Sequence, residues 1–260
     1  MSHFKVHSLH PQTQAVFATL AASEHARGFL LIGGTALALH IAHRQSNDLD
    51  FVFYEANGKL PKERIDRLIW QLRGDGHKAD LITDSAATST FRINTGEHLS
   101  DYARDYAING VKVTFFATSP HKHPKRFVYW RNAPRDLQAG CAFAVLSIDG
   151  LKTAKTLVLQ DRVRSRDLFD LMVLMRDHGY SMDAFFDTVQ RLADRAQDGE
   201  TERLILRGLI PLDLRDEGLQ GVNVTATPAE MYAFFDERLR EYEIRMHAQH
   251  VRELSTKAQT

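Results

Sequence analysis

Apolar residues change their spacing along this chain. In the N-terminal part, short runs of strand length alternate with longer amphipathic stretches. Phe29-Leu30-Leu31-Ile32 is an unbroken apolar run stopped by Gly33 and Gly34, the pattern of a buried strand ending in a tight turn. Thr35 to Ala42 then predicts a helix, with Leu37 and Ile41 on one face and Ala36 small enough for close packing. Asp48-Leu49-Asp50-Phe51-Val52-Phe53 alternates with period two. It predicts a strand with Asp48 and Asp50 on one face and Leu49, Phe51 and Phe53 on the other. Pro11 to Ala26 predicts a helix through Val16 and Leu20. Leu60 to Arg73 predicts another through Ile65, Leu68, Ile69 and Leu72. Ala79 to Ile82, Thr90 to Asn94 and Val111 to Phe116 predict strands.

Composition shifts over residues 130–145, and beyond 145 the strand pattern is absent. Helices are predicted at 147–160, 165–178, 181–196, 200–208 and 228–250. The last opens at Thr227-Pro228-Ala229-Glu230, a threonine cap followed by proline and an acid in the first turn. Tyr232, Phe235, Leu239 and Tyr242 form its core-facing stripe, and the tail from Glu253 is predicted to fray. The expected fold class is therefore α+β. An α/β-type domain with a mixed sheet spans 1–140, and a helical domain spans 141–260. A ligand cleft between two such domains is the expected arrangement.

The glycines before the helix matter for chemistry, because they let a backbone approach a ligand with no Cβ in the way. The free N–H groups and positive end of a helix N-terminus favour phosphate, and Thr35 adds a hydroxyl there. A bare Gly33-Gly34-Thr35 is equally compatible with a structural turn. Aspartate is disfavoured in strands, and two on one face repel each other unless a cation lies between them. Magnesium (or manganese) takes one or two carboxylates plus substrate phosphate oxygens, which suits Asp48 and Asp50 as metal ligands. The plainer alternative leaves both solvated at the strand's start or paired with Arg44. Joined to the glycine turn, the metal reading is the stronger, and it points to triphosphate chemistry.

With 260 residues, 43% of them hydrophobic, the chain is long enough to bury a sizeable core. Lys plus Arg and Asp plus Glu are both 33, which argues against coating nucleic acid by bulk charge and leaves a local patch open. The single cysteine, Cys141, rules out an internal disulfide and suits a reducing cytoplasm. Met1-Ser2-His3-Phe4-Lys5 has no signal-peptide pattern, and the most apolar stretch, Phe29 to Ala42, is too short for a membrane span. The expected location is cytoplasmic, with no membrane partner. His121 and His123, beside a lysine and a proline, read as a solvated loop and not a metal site. From His121 to Arg135, Lys122, Lys125, Arg126, Arg131 and Arg135 are interleaved with Phe127, Tyr129 and Trp130. That mixture suits contacts to unpaired RNA, or equally a solvated linker.

A later block adds to the triphosphate reading. Leu151 to Leu159 and Asp167 to Arg176 both read as helical. Asp167 and Asp170 share a face, and Arg166 and Asp170 are spaced to pair. Arg162 and Arg164 read as surface ion-pair residues. A lysine facing the Asp48-x-Asp50 strand would neutralise charge building on leaving pyrophosphate.

Gly33-Gly34-Thr35 followed by Arg44-x-Ser46-x-Asp48-Leu49-Asp50-Phe51 is similar to the signature of the nucleotidyltransferase superfamily. More closely it resembles the AbiEii/AbiGii toxin family of bacterial toxin–antitoxin and phage-abortive systems. Lys155, Arg162 and Arg166-Asp167-x-x-Asp170-Leu171 follow that family in order and separation. The resemblance implies transfer of a nucleoside monophosphate from a nucleoside triphosphate to a hydroxyl, with a tRNA 3′ end or other RNA as acceptor. It also implies growth arrest relieved by a cognate antitoxin. It makes Asp48, Asp50 and Lys155 catalytic, and Gly33, Gly34, Thr35, Ser46, Asp167 and Asp170 nucleotide-binding. Lys152, one turn earlier, is the alternative lysine. Many superfamily members carry a third carboxylate on a later strand, and here Thr114 occupies that place. Activation of the hydroxyl would then fall to metal alone, to Asp50, or to Glu97, Asp101 or Asp105. Transfer of the γ-phosphate, or nucleotide binding without catalysis in a regulatory protein, are the competing functions.

Overall fold

The computed structural model describes residues 4–54, 58–193, 199–224 and 226–257. The chain divides into two compact units, Met1–Ala154 with Gly221–Asn223, and Lys155–Gln220 with Val224–Thr260.

The first unit is built on a mixed sheet of seven strands. Its elements run α1 (Pro11–Ala22), β1 (Phe29–Ile32), α2 (Gly33–Ile41), β2 (Leu49–Phe53), α3 (Lys62–Gly74) and β3 (Ala79–Leu81). They continue as α4 (Ser85–Thr95), β4 (Ala103–Ile108), β5 (Val111–Ala117), α5 (Pro124–Asn132), β6 (Arg135–Asp136) and β7 (Ala144–Leu146). α6 (Ile148–Val158) follows and contributes to both units. The strand order is β3-β4-β5-β2-β1-β7-β6. β2 lies at the centre, antiparallel to β1 and parallel to β5. Phe51 on β2 stacks on Phe115 of β5 at 5.5 Å between ring centroids and meets Phe143 edge-on at 4.9 Å. Phe29 of β1 and Phe17 of α1 complete this aromatic core. All five rings are buried.

Besides the short strands β6 and β7, which the sequence pattern does not predict, two stretches differ from it. Thr90 to Asn94 has the β-branched and aromatic content of a strand, yet it lies in α4. The helix is fixed by its ends. The Asp84 side chain accepts a hydrogen bond from the Ala86 N–H at 2.8 Å, and Gly96 closes the C-terminus in the left-handed region. Conversely, residues 103–108 form β4 although Ala103, Arg104 and Asp105 carry little strand signal. β4 is drawn in by Asn109-Gly110, whose positive φ angles of 49° and 84° make the two-residue turn onto β5.

In the second unit, α7 (Ser165–Asp177), α8 (Met182–Leu192), α9 (Glu200–Leu206) and α10 (Pro228–Lys257) bury Leu168, Leu171, Leu174, Phe185, Val189, Met231, Phe235 and Leu239. α8 covers most of the helix expected over 181–196, and residues 194–196 lie outside the described ones. α10 opens with the predicted cap as a reciprocal box. The Thr227 N–H donates to Glu230 at 2.7 Å, and the Glu230 N–H donates to the Thr227 hydroxyl at 3.3 Å. The helix runs through the predicted fraying point at Glu253 to Lys257, and residues 258–260 lie outside the described ones. Among the described residues no helix is long and apolar enough to cross a membrane.

Because Phe51 is 1% exposed and touches the rings on both sides of β2, Phe51→Ala should cost about 3–5 kcal/mol. Urea unfolding would show this as a lower midpoint at unchanged slope; an unchanged midpoint would show that the aromatic cluster is not the core.

Candidate active site

β1 delivers the chain to the glycine turn beside Asp50. Ile32, the last residue of β1, pairs with Asp50 in the antiparallel register. Gly33 follows with φ of +77°, and a Cβ there would sit 2.9 Å from Asp50 Oδ2. A Cβ on Gly34 would lie 2.2 Å from Arg44 Nη2. Gly33 is therefore favoured by its left-handed backbone beside a carboxylate, and Gly34 by the guanidinium that lies against it. No side chain caps the N-terminus of α2. Gly33 and Asp50 are half-buried, whereas Asp48, just before the strand begins, is exposed.

The segment entering β2 is held by buried polar groups. The Thr35 hydroxyl lies 2.7 Å from the Ser46 hydroxyl and also donates to the Asp48 carbonyl. Thr13 on α1 donates to the Asn47 carbonyl at 2.8 Å, and Ser46 bridges to Leu9. The Gln45 N–H donates to the Val222 carbonyl at 3.0 Å, and Arg44 donates to the Gln45 carbonyl at 3.1 Å. Thr35, Arg44 and Ser46 are all buried. Sequence reasoning assigned Thr35 and Ser46 to nucleotide, but it did not show that they bond each other and tie α2 to the backbone of Asp48. On the next strand, Thr114 is the register partner of Asp50, so the side chain facing Asp50 there is a hydroxyl.

Within the second unit, Lys155 is buried between two carboxylates. Its Nζ lies 2.7 Å from Asp167 Oδ1 and 2.6 Å from Asp170 Oδ2. Arg162 Nε reaches the other oxygen of Asp167 at 2.9 Å. Arg162 is thus part of this cluster and not a plain surface residue. Arg166, spaced to pair with Asp170, instead bonds Glu217 at 3.0 Å and the Gly218 carbonyl at 3.2 Å. Burial works to raise the Asp167 pKa, but the charges of Lys155 and Arg162 outweigh it and hold the carboxyl below the ordinary aspartate value. Lys152 is half-buried and pairs with Asp149, 2.8 Å away.

The basic and aromatic stretch from His121 to Arg135 is partly used in packing. Trp130 is buried and Tyr129 donates to the Gly150 carbonyl at 2.9 Å. Arg135 lies over the Tyr54 ring and donates to three carbonyls, those of Trp130, Arg131 and Ala133. Lys125 and Arg131 remain exposed.

The Asp50 carboxylate beside the glycine turn is a hard oxygen donor of the kind magnesium takes together with substrate phosphates. Among the described residues no group of three or more His, Cys, Asp or Glu side chains forms a metal cage.

The sequence model of the family described as "Nucleotidyl transferase AbiEii toxin, Type IV TA system" matches residues 14–253. No curated protein matches the chain. A crystal structure from H. pylori, assigned as a nucleotidyltransferase, is similar to it at a TM-score of 0.46 and 16% identity. That likeness covers 91% of this chain and 94% of the other.

Lys155→Met strips the cation from two buried carboxylates and should destabilise by about 3–5 kcal/mol. Because the Asp167 pKa is depressed in the folded state, its stabilisation is present above the unfolded aspartate value, about 3.9, and is lost as pH falls below it. Wild type should lose stability on acidification below about pH 4, and Lys155→Met should lose less over that interval. Urea melts at pH 7 and pH 3 measure both; equal losses in the two proteins would refute the ion-pair account.

Proposed function

We propose, for a chain that belongs to the AbiEii nucleotidyltransferase toxin family, metal-dependent transfer of a nucleoside monophosphate from a triphosphate to a hydroxyl acceptor. The acceptor class is RNA, with a tRNA 3′ end as the first candidate. The biological outcome is growth arrest, opposed by an antitoxin protein.

The observation that carries this reading is the juxtaposition of Gly33 and Asp50, where the absent Cβ leaves backbone and carboxylate within reach of one ligand. Gly33 and Gly34 let triphosphate oxygens approach the uncapped start of α2, whose positive end favours them. Asp48 and Asp50 would hold magnesium or manganese, which would neutralise phosphate charge there. Thr35 and Ser46 serve the nucleotide by fixing Asp48 against the helix start through their shared hydrogen bond. Lys155 is assigned to phosphate charge on the leaving side, with Asp167 and Asp170 holding its ammonium in place. The acceptor oxygen attacks the α-phosphorus in line and pyrophosphate leaves.

Four α-labelled triphosphates, each incubated with total RNA and magnesium, provide the test. Wild type should place label in RNA, and Asp50→Ala should lower the rate by roughly 10²-fold or more. Chelation with EDTA should abolish the reaction, and added magnesium should restore it. Label entering product from the γ-position alone would replace this reading with phosphotransfer, and full activity in Asp50→Ala would remove the assigned site.

A further inference from the structure

The nucleotidyl-transfer reading leaves the acceptor proton without a destination, because Thr114, opposite Asp50, cannot take it at neutral pH. The sheet supplies a different acid. Thr114 pairs on its other side with Asp105 of β4. Paired residues share a face, so Asp50, Thr114 and Asp105 form one row across three strands. All three are half-buried.

The Asp105–Thr114 pair is of the close kind. The Asp105 N–H bonds the Thr83 hydroxyl at 2.9 Å, and its carbonyl accepts from the Ile82 N–H at 2.8 Å. The main-chain groups of Asp105 thus turn away from β5. That leaves a non-hydrogen-bonded pair, whose Cα atoms approach to about 4.5 Å. With about 4.8 Å more from β5 to β2, the carboxylates of Asp105 and Asp50 flank a gap lined by one short side chain. An attacking hydroxyl, alone or with one water, fits a gap of that width.

The other candidate acids are already engaged. Glu97 accepts from the Tyr102 hydroxyl at 2.6 Å and pairs with Lys122 at 3.4 Å. Asp101 is clamped by Lys62 at 2.5 Å and Lys59 at 3.2 Å. Both carboxyls lie below the ordinary range, Glu97 chiefly through Tyr102 and Asp101 chiefly through Lys62, which makes them poorer bases. Among the described residues no hydrogen bond or ion pair engages the Asp105 carboxylate. An aspartate in the middle of a strand, with no partner that stabilises the fold, is a placement strand propensity disfavours.

We propose that Asp105 is the general base of the transfer, standing one strand beyond the place where Thr114 occurs. The inference rests on the nucleotidyl-transfer reading. The acceptor oxygen forms its bond to the α-phosphorus, and the bond from that phosphorus to the bridging oxygen breaks. The electron pair departs with pyrophosphate, and the hydroxyl proton passes to Asp105, directly or through the water.

The test uses the full chain as wild type, Asp50→Ala, Asp105→Asn, and Asp105→Asn combined with Thr114→Asp. Turnover is read with α-labelled triphosphate and total RNA. Triphosphate binding is measured by titration with magnesium and a non-hydrolysable analogue, and thermal unfolding reports the fold. Asp105→Asn should turn over about 10²-fold or more slowly, with binding within threefold and the unfolding midpoint unchanged. Thr114→Asp in that background should regain at least tenfold, because it returns an acid to the position facing Asp50. Turnover of Asp105→Asn within threefold of wild type overturns the proposal, and inactivity of Asp50→Ala in the same assay would leave the parent reading standing. Loss of binding, a lowered midpoint, or no regain in the double variant overturns it as well. A wild type that transfers no α-label overturns the parent reading and this one with it.

Discussion

The strict alternation of β2 is the constraint from which the candidate site follows. A strand turns successive side chains to opposite faces, so a register slip of one residue would exchange them all. Phe51 is locked among Phe115, Phe143 and Phe29, and its burial is worth far more than any contact made by its neighbours. Asp50 is thereby committed to the other face. The same lock sets Ile32 against Asp50, and through it brings Gly33 to that carboxylate. Hydrophobic burial supplies the energy, and the polar groups take the geometry that it leaves them.

Around this strand the buried polar groups are matched to partners, as the cost of leaving them unpaired requires. Arg44 lies over Gly34, where any side chain would collide with it. Thr35 and Ser46 satisfy each other and the Asp48 carbonyl. In the second unit Lys155, Arg162, Asp167 and Asp170 balance two positive against two negative charges. Removing Lys155 is costly there because Asp167 and Asp170 stay buried, while the intact group contributes little net stability. Such arrangements specify position more than they stabilise.

Much of this was legible without the fold. Phe29 to Ile32 ended by two glycines, and the alternating Asp48 to Phe53, announced β1, the turn and β2. Thr227 and Glu230 announced α10. Composition misled at Thr90 to Asn94, where strand-forming residues sit between Asp84 and Gly96, two helix-end signals that outweigh propensity. It also hid β4, although Asn109-Gly110 is the hairpin signal that marks it. Arg162 and Arg166 exchanged the roles that helical spacing implied, because spacing says which residues can meet and not which carboxylate is nearer once helices pack.

The sequence by itself carried the family resemblance and the order of the candidate site residues, since these depend on local periodicity and on a glycine turn between strand and helix. The tertiary structure decided which side chains share a face across strands distant in sequence. It set Thr114 opposite Asp50, put Asp105 at the far end of that row, and placed Thr35 on Ser46. The Asn109-Gly110 turn sets the register of β4 on β5, but the pairing of β5 with β2 follows from how the aromatic rings fill the core. That is a property of the whole sheet, which no single segment carries.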